Sequence, residues 1–266
     1  MQYTEKDYTF MICAYKENPY LEQCVLSVLN QTILGNVKIS TSTPNQYIKD
    51  LAEKYKLPLV VNKGIGDVVN NWNFAYSQAE TELVTLCHQD DYYDAYYLEN
   101  ILLSINKTKQ PLIACTNYYE DRNGLHIKSN LLLRIKRFLI FPLRFSVLRN
   151  KKIIKRLALA FGCPICCPSV TYVRHRLPET IFQSGFGSNY DWQAWEMLSK
   201  LDGSFIYIAK ALTFHRIHED SITSQMLSEN KRGQEDYEMF CKFWPSIIAR
   251  ILTKAYSFSE KSNNLK

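Results

Sequence analysis

Residues 8–29 read YTFMICAYKENPYLEQCVLSVL, and this stretch decides the fold class. Its first part, Tyr8 to Ala14, is a short apolar run that ends in a polar turn, as a buried parallel strand does. Asn18 and Pro19 then supply a helix cap and a first-turn proline. Apolar residues follow at helical spacing, namely Leu21, Cys24, Val25, Val28 and Leu29. The stretch therefore predicts a strand that leads directly into an amphipathic helix.

The same alternation continues through the first half of the chain. Further strands are predicted at Val37 to Ser40, Leu59 to Val61 and Glu82 to Cys87, with helices at about Asn45 to Tyr55 and after Asp67. This βαβαβαβ order predicts an α/β fold with a Rossmann-like, mostly parallel central sheet flanked by helices. Ligands are expected at the carboxyl ends of its strands. In the second half, strands are predicted at 169–173, 204–208 and 211–214, and a largely helical region at 228–256.

The amino-acid composition limits which class of protein this chain can be. With 46% hydrophobic and 22% charged residues, the 266-residue chain is globular rather than disordered. The amino terminus has no basic and apolar signal pattern, and no run reaches the roughly 18 apolar residues of a membrane span. Without an export signal, the eight cysteines are expected to be reduced in a cytoplasmic protein. The C-x-x-C at Cys163 and Cys166 lacks a second ligand pair at zinc spacing.

Two adjacent carboxylates, Asp90 and Asp91, directly follow the predicted fourth strand. Such a pair repels itself unless a cation or several donors neutralise it. Mg²⁺ and Mn²⁺ suit carboxylate ligands and leave positions open for phosphate oxygens. The alternative is that Asp91 or Asp94 caps a helix that begins near Ala95, and both roles can hold together.

Four motifs stand in order along the chain. They are CAYKENPYLEQCVLSVLNQT at 13–32, HQDD at 88–91, GSNYDW at 187–192 and FHRIHEDSIT at 214–223. Together they resemble family 2 glycosyltransferases of the GT-A fold and bacterial cell-surface polysaccharide type. The first is similar to the family's opening strand, turn and helix, and HQDD stands where the family carries its D-x-D metal motif. GSNYDW is similar to the motif of the catalytic aspartate, and the last motif to the late R-x-H-x-x-S-x-T segment.

The resemblance implies a metal-dependent inverting glycosyltransferase, with a GT-A domain over 1–225 and a C-terminal helical extension over 226–266. It would move a sugar from a nucleotide-sugar donor to a hydroxyl of a glycan or lipid-linked acceptor. Asp191 would act as general base, and Mn²⁺ or Mg²⁺ would be held by Asp90, Asp91 and His218. The substrate-binding residues implied are Ala14, Tyr15, Glu17, Ser42, Asp67, Asn73, His88, Asp90 and Trp192.

The same residues would also suit purely structural roles, and the chain departs from the family pattern at several positions. Asp191 precedes a predicted helix and would also suit its N-cap, while His218 would be satisfied by Glu219 or Asp220. His88 replaces the first aspartate of the D-x-D pattern. Two further departures are the stretch STSTP at 40–44, which lacks the family's base-reading aspartate, and Trp72, where a basic residue often stands.

A basic segment over 131–160 carries nine basic residues and no acidic one, so the net charge of +6 comes from this segment. Its cations alternate with large apolar residues at helical spacing, a composition typical of helices in the membrane interface. This predicts an insertion that makes peripheral contact with the inner face of the cell membrane. An ordinary helical insertion packed on the core is the alternative. Nucleic-acid binding is not favoured, because no base-reading module surrounds the segment.

Two other functions fit parts of the sequence. A nucleotidyltransferase of similar fold also places acids and a metal beside a nucleotide. It would want a glycine-rich phosphate loop near the amino terminus, and Cys13 to Pro19 contains no glycine. A noncatalytic membrane-binding protein on a degenerate transferase fold is the other alternative, and the presence of Asp90, Asp91, Asp191 and His218 argues against it.

Overall fold

The computed structural model describes residues 2–64, 66–218 and 232–261 of the chain. The strands are β1 (Tyr8–Ala14), β2 (Asn36–Thr41), β3 (Leu59–Val61), β4 (Leu83–His88), β5 (Tyr92–Tyr93), β6 (Pro111–Arg122), β7 (Leu125–Ile127), β8 (Val170–Val173) and β9 (Ser204–Arg216). The helices are α1 (Leu21–Leu29), α2 (Gln46–Lys54), α3 (Val68–Ser77), α4 (Tyr97–Asn106), α5 (Leu131–Ile140), α6 (Lys152–Leu159), α7 (Tyr190–Ser199), α8 (Arg232–Cys241) and α9 (Ser246–Lys261).

One nine-stranded sheet runs through the molecule in the order β3-β2-β1-β4-β8-β6-β9-β5, with β7 paired to β6. Its first half is parallel, since β1 pairs with β2 and β4, and β2 with β3. Antiparallel β8 then joins β4 to β6, which is parallel to β9. The predicted βαβαβαβ half is therefore confirmed, and β4 ends beside β1 in the middle of the sheet.

Both faces of the sheet are covered, because alternate residues of each strand point to opposite sides. In β1, Phe10 and Ile12 pack with α1, α2 and α4, whereas Met11 packs with α3 and α7. The second face also receives α8 and α9 through the buried Met239, Phe240 and Ala249. The described part of the 226–266 extension thus shares the core of the sheet.

The basic segment folds into α5 and α6, which a short 3-10 turn at Phe141–Arg144 separates at Pro142. Each helix buries one face, with Leu133 and Ile140 from α5 and Ala158 and Leu159 from α6 in the core. Large apolar side chains stay exposed on the other face, namely Leu131, Ile135, Phe138, Ile153 and Leu157. The segment therefore packs on the core and still presents an apolar and basic surface.

Two details differ from the sequence predictions. The predicted strands at 204–208 and 211–214 form the single 13-residue β9, which accommodates the intervening residues through irregular pairing with β6. Within its described part, the 228–256 helical region is two helices, α8 and α9, that meet at Pro245. In the described residues, no helix has the length and apolarity required to cross a bilayer.

Candidate active site

The carboxyl end of β4 delivers His88, Asp90 and Asp91 to one place. Each offers a ligand atom, and these atoms lie within 4.8 Å of one another, which makes them the group of potential metal ligands found among the described residues. The end of β9 faces this group and brings His215, Arg216 and His218. Two strands distant in sequence therefore close one polar cluster.

Asp91 is almost completely buried, with 1% of its surface exposed. Its Oδ1 accepts hydrogen bonds from the Arg216 backbone N–H at 2.8 Å and from His215 Nδ1 at 3.0 Å. Burial alone would lower the pKa of His215, but the Asp91 carboxylate raises it above its ordinary value. The other oxygen, Oδ2, has no hydrogen-bond partner and lies 3.8 Å from His88 Nδ1.

His88 lies flat against Trp72, with ring centroids 4.7 Å apart and the planes 15° from parallel. Its Nε2 is buried and has no hydrogen-bond partner. Burial lowers the pKa of His88, so the imidazole is neutral and keeps a lone pair. A buried cluster with one orphan nitrogen and one orphan carboxylate oxygen fits a divalent cation, which would satisfy both atoms.

His218 reaches the same cluster from β9, because its Nε2 lies 3.0 Å from Asp90 Oδ2. Burial alone would raise the pKa of Asp90, but the hydrogen bond from His218 and the nearby histidines hold it below its ordinary value. Asp90 is therefore ionised. The segment after His218, with Glu219, Asp220 and the rest of the 214–223 motif, lies outside the described residues.

Asp191 lies in the first turn of α7 and is half-buried. Its Oδ1 accepts the Trp192 backbone N–H at 2.7 Å, and Cys163 Sγ lies 3.6 Å from Oδ2. Burial raises the pKa of Asp191 above its ordinary value. A carboxylate in this state is a stronger base than an exposed one.

Trp72 contacts a residue of each part of the site. One face of its indole stacks on His88, and the ring of Tyr190, which precedes Asp191, contacts it edge-on at 6.1 Å. The Asp191 charge acts on the pKa of His88, as do the charges of Asp90 and Asp91. The lone carboxylate of Asp191 therefore lies within electrostatic reach of the acidic cluster.

The loop before Asp191 is held by Glu235 of α8, a residue that sequence reasoning missed. Its carboxylate accepts hydrogen bonds from the backbone N–H groups of Gly187, Ser188 and Asn189, and from the Ser188 hydroxyl at 2.9 Å. Asn189, at the N-cap of α7, makes no side-chain cap bond of its own. Glu235 thus caps α7 from another helix, and no local sequence pattern signals such a contact.

The predicted nucleoside side lies at the ends of β1 and β2. Ala14 ends β1, while Tyr15 and Glu17 are exposed in the turn that follows. Gln89 fastens this turn to the acidic cluster, since its amide bonds both the N–H and the C=O of Tyr15. Ser42 accepts a hydrogen bond from Asn71, which in turn accepts one from Asn62. Gln89, Asn62 and Asn71 were not singled out from the sequence.

Three residues expected at the substrate have other contacts in the structure. Asp67 caps α3 by accepting the Asn70 backbone N–H at 2.8 Å. The Asn73 side chain bonds the backbone of Ile181 and Phe182. Trp192 is completely buried, and its Nε1 donates to the Leu159 carbonyl, so its side chain belongs to the core instead of the cleft.

The chain is similar to known proteins in sequence and in fold. A family model described as Glycosyl transferase family 2 matches residues 9–182. No curated protein sequence matches the chain. The structure resembles S. aureus TarS 1-349 in complex with UDP-GlcNAc, with a TM-score of 0.68 and 15% identity over 98% of this chain and 76% of that one.

A second similar structure is the mannosyltransferase PcManGT from Pyrobaculum calidifontis in complex with GDP-Man and Mn²⁺. Its TM-score is 0.64 and its identity 14%, over 99% of this chain and 77% of that one. At such identities a likeness shows the fold, and both confirm the GT-A architecture expected from the motifs.

Proposed function

Because this chain belongs to glycosyltransferase family 2, we propose that it is an inverting enzyme whose acceptor-activating base is Asp191. The donor is a nucleotide-sugar, and the acceptor is a hydroxyl of a glycan or a lipid-linked molecule. The observation that carries the proposal is the convergence on one region of the acidic pair after β4 and the carboxylate of α7. Sugar transfer from a nucleoside diphosphate requires, in one site, acids that hold the metal and a base that takes the proton of the acceptor hydroxyl.

The chain's own residues would hold Mn²⁺ or Mg²⁺ at the end of β4. Asp90 is ionised and His88 is neutral, and Asp91 offers its orphan Oδ2. His218, hydrogen-bonded to Asp90, would complete the site from β9. When bound, the cation supplies positive charge to the leaving diphosphate. The Mn²⁺ in the similar mannosyltransferase structure supports this choice of metals.

On the acceptor side, Asp191 receives the proton of the attacking hydroxyl as that oxygen bonds to the anomeric carbon. Its raised pKa makes the transfer more favourable. Oδ1 accepts the Trp192 N–H, so the proton would go to Oδ2, which accepts a weak hydrogen bond from the Cys163 thiol and keeps a further lone pair. A single displacement from the face opposite the leaving group inverts the anomeric configuration. Tyr15, Glu17 and Ser42 would contact the nucleoside at the ends of β1 and β2.

The decisive experiment compares wild type with Asp191→Asn in a screen of nucleotide-sugars with Mn²⁺ or Mg²⁺. Release of nucleoside diphosphate is measured, together with metal-dependent nucleotide binding. We expect Asp191→Asn to abolish transfer and to keep nucleotide binding, because the amide cannot accept the proton. Equal turnover by the two proteins would remove Asp191 from its role.

The exposed side of α5 and α6 supports peripheral membrane contact through residues 131–160. Leu131 is 76% and Phe138 79% exposed on α5, beside a segment without any acidic residue. The amino-terminal half of α9 adds exposed isoleucines, with Ile247 at 74%. Exposed apolar side chains within a basic surface bind anionic bilayers through both hydrophobic burial and charge attraction.

Sedimentation with phosphatidylglycerol vesicles at low salt tests this contact. Leu131→Asp should reduce the bound fraction, because it places a charge in the apolar surface. Leu34→Asp is the matched control, since Leu34 is 64% exposed but lies outside the basic segment. Absence of vesicle binding by wild type, or an equal loss in both variants, would contradict membrane contact through this segment.

A further inference from the structure

A cavity of about 390 Å³ lies beside the acidic cluster, where α1, β5, the end of β9 and the turn between β6 and β7 meet. Its volume is within the range of small-molecule sites. His218 is one of the lining residues, and its Nε2 lies 3.0 Å from Asp90 Oδ2. Asp191 and the predicted nucleoside contacts are not among the described residues that line it. The cavity therefore adjoins the candidate metal site but is separate from the places assigned to the base and the nucleoside.

The lining includes one guanidinium and one carboxylate, and these two groups form an ion pair. Arg216 Nη2 lies 3.4 Å from Asp121 Oδ2, and both residues are buried. The same Nη2 donates a hydrogen bond to Gln23 Oε1 at 2.7 Å. Because the two charges compensate each other, the cavity suits an uncharged polar ligand better than a free anion or cation.

Hydrogen bonds among the lining side chains hold the cavity in shape. The Tyr92 hydroxyl donates to Asp121 Oδ2 at 2.9 Å and lies 2.8 Å from His126 Nε2. Asp121 Oδ1 accepts the Gly124 backbone N–H at 2.7 Å. The Phe214 ring stacks on Tyr92, with centroids 4.6 Å apart and planes 4° from parallel. The lining is therefore ordered before a ligand arrives, which lowers the entropic cost of binding.

The cavity combines aromatic rings with neutral polar groups. Tyr20, Tyr92 and His126 supply the rings, while Gln23 and Asn123 supply amides. A pyranose ring carries C–H groups that pack on aromatic rings, and hydroxyls that both donate to and accept from amides and imidazoles. A purely apolar ligand would leave the amides without partners. An uncharged sugar ring is the ligand class that matches both kinds of lining group.

We propose that this cavity binds an uncharged sugar unit of the acceptor. This inference rests on the proposed function and specifies its acceptor as a glycan, either free or attached to a lipid. Because His218 borders both the cavity and the candidate metal site, a sugar held here lies next to the place where the donor diphosphate would bind. Asp191 does not line the cavity, so the bound unit is a neighbour of the sugar whose hydroxyl is attacked.

Saturation-transfer difference NMR with small glycosides tests the proposal. The probes are the methyl glycosides of glucose, galactose, mannose and N-acetylglucosamine, and 1,6-hexanediol is the control that has hydroxyls but no sugar ring. For wild type we expect at least one glycoside to bind with saturation in the millimolar range, and hexanediol not to bind. A wild-type protein that binds none of the four glycosides overturns the proposal.

Two substitutions at exposed positions place the binding in this cavity. His126→Ala removes a ring, and Asn123→Gly removes an amide at a turn position whose φ of 53° glycine adopts readily. Each should weaken glycoside binding by about 3- to 10-fold for one lost contact. His175→Ala should bind as wild type does, since His175 lines a separate cavity near the start of β4. Circular dichroism confirms that each variant is folded. Unchanged affinity in both cavity variants, or an equal loss in His175→Ala, overturns the proposal.

Nucleotide titrations keep this outcome distinct from that of the proposed function. The nucleotide-sugars of the donor screen and their nucleoside diphosphates are titrated, with Mn²⁺, into wild type and His126→Ala, and we expect equal affinities in the two proteins. A loss in His126→Ala that is confined to a nucleotide-sugar would assign the cavity to the donor sugar and overturn the acceptor role. A wild-type protein that binds glycosides but no nucleotide would instead contradict the proposed function and leave the sugar site in place.

Discussion

Glu235 is the residue whose removal tests how the site is held together. Its carboxylate bonds three consecutive backbone N–H groups and one hydroxyl in the loop 187–189, immediately before Asp191. The last of these N–H groups belongs to Asn189, the N-cap residue of α7, and a negative charge is favourable at this positive end of the helix. We predict that Glu235→Ala lowers both the stability of the protein and its turnover.

The size of the effect follows from the number of donors. In Glu235→Ala each donor loses a charge-assisted hydrogen bond. Water compensates for part of the lost bond energy, because Glu235 is only half-buried. At about 1 kcal/mol for each of the four donors, the unfolding free energy falls by about 3–4 kcal/mol. Glu235→Gln keeps one accepting oxygen, so its loss should be about half as large. A displacement of Asp191 by about 1 Å would lower kcat by about 100-fold.

Urea unfolding followed by tryptophan fluorescence measures the stability, and release of nucleoside diphosphate measures kcat and the donor KM. The donor KM should change little, because Glu235 contacts the loop of α7 and not the ends of β1 or β2. Glu238→Ala on the exposed side of α8 is the control and should behave as wild type. If Glu235→Ala matches Glu238→Ala in both stability and kcat, the bonds to the loop do not position Asp191.

Three further predictions concern the titrating groups of the site. His218→Ala should weaken Mn²⁺ binding by about 10- to 100-fold in an electron paramagnetic resonance titration, whether His218 binds the metal or orients Asp90, and unchanged affinity would place the metal elsewhere. Asp191 must be ionised to act as a base, and burial raises its pKa above the ordinary value of 3.8. The value of kcat should therefore rise with pH, with a midpoint above 3.8. A midpoint at or below pH 3.8 would contradict this role. The folded protein holds the Asp191 proton more tightly than the unfolded chain does, so loss of this proton at higher pH lowers the stability. Asp191→Asn should therefore raise the unfolding free energy at pH 7, measured by urea titration. A lower unfolding free energy would show that the Asp191 charge is compensated in the folded protein.

The first half of the fold follows from local pattern. Strand β1 is a short continuous apolar run, and helix α1 repeats its apolar residues at helical spacing, so the type and order of these elements follow from near neighbours. The continuous strand β9 did not follow, because Ala209 and Lys210 interrupt the apolar pattern. In the structure these two residues have no pairing partner on β6, and the strand continues through this irregularity in the register. Pairing between distant strands leaves no local signal that would bridge the two predicted pieces.

The site residues also fall into two groups, those that a local motif predicts and those that only the tertiary packing brings to the site. Asp90, Asp91 and Asp191 stand in short motifs, so their positions at the ends of β4 and in α7 are readable from sequence. Glu235 contacts the loop before Asp191 across the fold, and its role depends on how α8 packs. Trp192 shows the reverse case: it belongs to a motif, but helix geometry turns its ring 100° from Asp191 and into the core.

Helix α5 carries apolar and basic side chains together on its exposed side. Ile135 and Phe138 are three residues apart and therefore lie on one face of the helix, where they are 45% and 79% exposed. Arg134 is exposed next to them, in a segment without any acidic residue. A surface helix in water normally turns its polar face outward and its apolar face to the core. Exposed apolar groups within a basic surface gain free energy when an apolar layer with anionic headgroups covers them. A loss of vesicle binding in Leu131→Asp should therefore leave nucleotide binding unaffected, because the predicted nucleoside contacts lie at the ends of β1 and β2 and not on α5.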